Sequence, residues 1–119
     1  MGTNAHELTL ACYKATKIFP REETYGLSSQ LRRASSSIAA NIGEGCGRSN
    51  NGDFSRFLQI AMGSASEVEY ELMLAYDLGY VEAEHYNVLC NRAIEVKKIL
   101  LSLSRKVEVA RFQDRGERL

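Results

Sequence analysis

The chain has 119 residues, 45% of them hydrophobic and 25% charged, with one proline, no tryptophan, and 15 basic against 15 acidic side chains. That length and balance describe one soluble globular domain with its own core, and zero net charge removes the simplest argument for nucleic-acid binding, an overall basic chain. Cys12, Cys46 and Cys90 are odd in number and far apart, which excludes a disulfide framework and any paired-cysteine metal motif.

The first segment, about Asn4 to Phe19, carries Leu8, Ala11, Cys12, Ala15, Ile18 and Phe19 at helical spacing. Pro20 stops it, because the residue before a proline avoids helical torsions. A short acidic connection, Arg21 to Thr24, follows. It holds Glu22 and Glu23, whose negative charge is favourable near the start of the next helix. That second helix is expected from Leu27 to about Glu44. Leu27, Leu31, Ala34, Ile38 and Ile42 share one face, with small residues and the pair Arg32–Arg33 elsewhere. Gly45 is the expected left-handed cap. After the loop GCGRSNNG, Asn50 and Asp53 have the three-residue spacing of a capping box.

The third helix is expected from about Asn51 to Leu78, ended by Gly79. Phe54, Leu58, Ala61, Ala65, Val68, Leu72 and Ala75 form a heptad seam. A second stripe beside it, Phe57, Ile60, Ser64, Glu67, Glu71, Leu74 and Leu78, makes the contact surface too wide for one partner. The fourth helix, about Glu82 to Ala110, has its own seam through Tyr86, Leu89, Ala93, Val96, Leu100, Leu103 and Val107. The fold class is therefore all-α: an antiparallel up-down-up-down four-helix bundle over residues 1–110. The charged, aperiodic tail 111–119 is expected to be disordered. No apolar run approaches membrane-spanning length. The amino terminus lacks a basic region followed by an apolar one, so no membrane partner is expected and the cytoplasm is the expected location.

The run YGLSSQLRRASSSIAANIGEGCGR, followed by DFSRFLQIAMGSASEVEYELMLAYDLGY, resembles a bacterial four-helix-bundle family. It is named for proteins encoded in intervening sequences of 23S ribosomal RNA genes. The resemblance runs from about Thr16 to Tyr80, and the fourth helix fits in pattern. It implies a bundle that assembles into a ring, commonly a homopentamer. A relative, the accessory protein of diversity-generating retroelements, binds nucleic acid and a reverse transcriptase. Gly43 stands where the family usually has alanine, and Gly52 where a charged residue is common. The chain's neutrality also contrasts with that basic relative.

Candidate sites follow from chemistry. Arg32, Arg33, Arg48 and Arg56 are the candidates for phosphate contact with RNA or DNA. The competing and favoured role for Arg32 and Arg33 is pairing with Glu67, Glu69 or Glu71, since Glu67 and Glu71 interrupt an apolar stripe and need cations if covered. Gly43 to Arg48 lacks the lysine and hydroxyl of a phosphate loop, so a tight turn built on Gly45 and Gly47 is the plainer reading. Asn41 and Glu44, a turn apart, suit capping or interhelical hydrogen bonds. Cys46 has no histidine base nearby in sequence. His6 and His85 belong to no metal motif. No catalytic residue, metal or cofactor is expected. The expected partners are further copies of the chain, with RNA, DNA or a protein that acts on nucleic acid as a second partner. A protein-binding adaptor without nucleic-acid contact is the alternative.

Overall fold

The computed structural model describes residues 2–118. Met1 and Leu119, the outer ends of the expected domain and tail, lie outside the described residues. Among the described residues the chain is all-helical. Its four α-helices are α1 Gly2–Thr16, α2 Leu27–Cys46, α3 Asn51–Asp77 and α4 Ala83–Arg118, with a short 3-10 turn at Arg21–Glu23.

α1 ends three residues before the expected Phe19. Its last amides, from Lys17 to Phe19, bond three residues back rather than four, a tightening that brings the chain out of the helix ahead of Pro20. α2 begins at Leu27, and its N-cap residue, Gly26, has no side chain with which to cap it. Glu23 supplies one instead: its Oε1 accepts from the Leu27 amide at 3.1 Å. A carboxylate there satisfies one orphan donor and complements the helix dipole. The other oxygen of Glu23 accepts from the Tyr80 hydroxyl at 2.9 Å, which ties this corner to the chain beyond α3. Asn50 caps α3, its side chain accepting from the Asp53 amide at 2.8 Å. Gly79, with φ +80°, ends α3 in a conformation that favours glycine.

Gly45 differs from the expectation. It is not a left-handed cap but a buried residue inside α2, and Gly47 follows as the C-cap at φ −83°. The reason is steric. A Cβ on Gly45 would lie 2.8 Å from the Phe54 ring and 3.0 Å from the Phe57 Cβ. Gly45 is a point of close contact between α2 and α3, and the helix runs on past it.

The core is the set of seams. Leu8 and Cys12 on α1, Leu31 and Ile38 on α2, Leu58, Val68 and Leu72 on α3, and Leu89 and Leu100 on α4 have almost no exposed surface. Each such aliphatic side chain contributes about 1.5–3 kcal/mol of burial. Consecutive helices pack on one another and α1 also packs on α4, whereas α1 and α3, like α2 and α4, stand diagonally across the core. The helices thus surround the core as the corners of a square. Ser55 meets Glu108, Glu69 meets Lys97 and Tyr76 stacks on Tyr86, so residue numbers rise along α3 as they fall along α4. α4 continues to Arg118, past the Ala110 at which its seam gave out, and Asn51 donates to Asp114 at 3.0 Å along that extension. The tail expected to be disordered is helical over residues 111–118.

Candidate functional site

The four candidate arginines do not form one surface. Arg32 leaves α2 toward the end of α1: its Nε donates to Thr16 Oγ1 at 2.7 Å, and its guanidinium lies 4.9 Å from the centre of the Tyr13 ring. It is not paired with the carboxylates of α3. Arg48 lies 16 residues further along, about 24 Å at 1.5 Å per residue. It bonds Glu44 at 2.7 Å and rests on the Phe57 ring. Arg56 rests on the same ring, 4.8 Å from its centre. Two arginines at one end and two at the other cannot sum their fields into one phosphate-binding patch at physiological salt, where charges beyond about 8 Å are screened.

The expected carboxylate partners are also separated. Glu69 points to the α4 side of α3 and pairs with Lys97 at 2.7 Å. Glu67 is exposed. Glu71 alone is covered, with 7% of its surface exposed, and its Oε2 is buried with no hydrogen-bond partner. Arg33 is exposed and acts on Glu71 through its field. Among the described residues no cation lies within 4 Å of the Glu71 carboxylate. Burial, and then the neighbouring Glu67 charge, push the Glu71 pKa up to about 7, against the opposing pull of Arg33.

These groups line an open cleft of about 450 Å³ between α2 and α3, with Gln30, Arg33 and Ser37 on one wall and Ser64, Glu67 and Glu71 on the other. Ser64 donates to Ser37 across it at 2.9 Å, and Asn41 donates back to the Ser37 carbonyl and hydroxyl rather than capping the helix. Behind Glu71, Cys12 is a buried thiol whose pKa burial raises to about 12, so it stays neutral. Cys46 is exposed. Among the described residues no cluster of His, Cys, Asp or Glu is placed to hold a metal ion, and no helix is long and apolar enough to cross a membrane.

Sequence reasoning missed Thr16 and Tyr13 as the partners of Arg32, and Lys97 as the partner of Glu69. Nothing local signals the first. The second was open to inference, because Glu69 lies two positions from Glu71 and adjacent stripes of a helix face different neighbours. An apolar feature lies on the other side of α3. Met62, Ile94 and Leu101 form a groove with the stems of Lys97 and Lys98, and Ile94 and Leu101 are both more than 40% exposed.

The architecture defines an all-α, four-helix protein with a polar seam in one face and an apolar groove in another. The family model described as "23S rRNA-intervening sequence protein" matches residues 2–102, and the chain belongs to that family. It is similar to a crystal structure of a protein of unknown function from the S23 ribosomal protein family of Bacteroides thetaiotaomicron VPI-5482, at 29% identity and a TM-score of 0.81. The match covers 87% of this chain and 96% of that one. No curated protein matches.

Proposed function

We propose that this protein is a non-enzymatic scaffold that assembles with further copies of itself into a ring, a homopentamer, and presents that ring to another protein. The observation that carries the reading is the apolar groove of Met62, Ile94 and Leu101, together with Tyr70 and Met73 exposed on the outer face of α3. Large apolar side chains exposed along the long axis of a small bundle are what a partner surface covers. The family resemblance supports a ring as the form of assembly.

The choice of a protein as the further partner rests on the arginines. Arg32 and Arg48 are engaged within the chain and lie at opposite ends, and the net charge is zero. Light scattering at micromolar concentration tests the assembly, with an expected mass five times the 13.3 kDa chain. A monomer overturns the reading. On the same sample, RNA and DNA binding at 50 and 200 mM salt tests the partner. Weak binding with a shallow salt slope is expected. A loss of several hundredfold between the two salts would make nucleic acid the partner.

A further inference from the structure

Glu71 is an acceptor without a donor. It is only 7% exposed, its Oε2 has no hydrogen-bond partner, and it stands in the wall of the open cleft between α2 and α3. A covered carboxylate left unpaired costs the free chain stability. The last torsion of a glutamate is broad, so the carboxyl group turns to present either oxygen to the cleft. A donor that completes it comes from there.

The two walls of the cleft have opposite chemistry. Glu67 and Glu71 are four residues apart on α3, so they share one face, and that face accepts hydrogen bonds. Arg33 and Ser37 have the same spacing on α2, and their face donates. Arg33 is exposed and takes part in none of the ion pairs among the described residues. Its charge bears on Glu71 without an ion pair forming. The Ser37 hydroxyl accepts from Ser64 and from Asn41, both at 2.9 Å, so its own proton remains to be given. Gly45 lies against Phe54 and Ser37 against Ser64, so α2 and α3 run in opposite directions. Counting back from Ser37 places Arg33 level with Val68, between the two carboxylates. A simple cation in the cleft would answer the α3 wall but stand against Arg33. A simple anion would answer Arg33 but stand against Glu67. A small molecule that carries both charges answers both walls.

We propose that the α2–α3 cleft binds a free amino acid, its ammonium group on the Glu71 carboxylate beside Glu67 and its carboxylate on the Arg33 guanidinium and the Ser37 hydroxyl. The cleft is open, so the site reads the two charged ends and leaves the amino acid's side chain in solvent. One chain supplies every contact, and the site is independent of the ring proposed above. It also has a pH response. The charged and titratable groups set against Glu71 are Glu67 on its own helix, Arg33 on α2 and the neutral Cys12 thiol on α1. In the free chain Glu71 holds its proton up to about pH 7. An incoming ammonium group favours the ionised form, so binding releases a proton and tightens as pH rises from 6 to 8.

The test is isothermal titration calorimetry of the full chain with free glycine, methylamine and acetate. Free glycine carries both charges, and each of the others carries one of them. Glycine is expected to bind in the millimolar range or tighter, about tenfold or more ahead of either half, and several-fold tighter at pH 8 than at pH 6. Glu71→Gln is expected to lose about tenfold or more of that affinity, together with its pH dependence. Arg33→Gln changes an exposed side chain and keeps the fold, which circular dichroism checks. It is expected to bind glycine no better than methylamine. Absence of glycine binding in the millimolar range, equal affinity of the wild type for glycine and methylamine, or unchanged glycine binding in Arg33→Gln overturns the site. None of these outcomes bears on the ring, which light scattering decides.

Discussion

Single residues in this chain are decided by what stands opposite them, and the glycines of α2 show it. Gly43 and Gly45 are two positions apart in one helix. Gly43 is exposed with open space at its Cβ direction, whereas Gly45 is buried against Phe54 and Phe57. Alanine at Gly43 removes the entropy cost of a mid-helix glycine, and urea denaturation is expected to show a gain of about 0.5–1 kcal/mol. Alanine at Gly45 forces two rings aside and is expected to lose about 1–3 kcal/mol by the same measurement. A result of equal sign for both would mean that α2 and α3 are not in close contact there. The sequence alone suggested a cap at Gly45, because a glycine-rich loop follows it and the partner that fills the space lies on another helix. Glu71 was more readable. Its place in a stripe with Phe57, Ser64 and Leu74 implied cover, although no side chain among the described residues satisfies its buried oxygen.

At the level of elements, the seams were legible because burial repeats every three to four residues, and each seam is a local property of its own helix. The boundaries were less so. α4 outran its apolar pattern by eight residues, to Arg118, as helix propagation costs little once a long helix exists and Asn51 offers Asp114 a bond. The side-chain pairs were least legible, since Lys97 and Glu69, or Glu23 and Tyr80, are brought together only by the packing of whole helices. Glu23 shows how much such a pair can organise: one oxygen caps α2 and the other takes the Tyr80 hydroxyl. Glu23→Ala removes the cap and is expected to cost about 1 kcal/mol, as loss of an N-terminal cap generally does. Tyr80→Phe leaves the cap in place and should cost less. Thermal unfolding of the two variants at one protein concentration orders them, and the reverse order would show that Tyr80 is the main tie at this corner.

The whole molecule is a rod, 57 Å long and 24 by 20 Å across. Its faces differ in chemistry: a polar cleft between α2 and α3 and an apolar groove between α3 and α4 occupy different sides of the square. That asymmetry is what a head-to-tail ring requires, since a two-fold dimer needs only one self-complementary patch. The helices also differ in length. α1 has 15 residues and α4 has 36, about 22 Å against about 54 Å, so α1 shields less than half of α4. The rod is four helices thick at one end and three at the other, and its backbone amides cannot all be protected alike. Hydrogen exchange should therefore divide α4 in two. Amides around Leu89 to Leu100 should exchange only when the whole chain opens, while those beyond Val107 should exchange orders of magnitude faster through local fraying. Uniform protection along α4 would mean that something outside the chain holds its far end. In the proposed ring, that end would be the part of the subunit left with the freedom to wait for a partner.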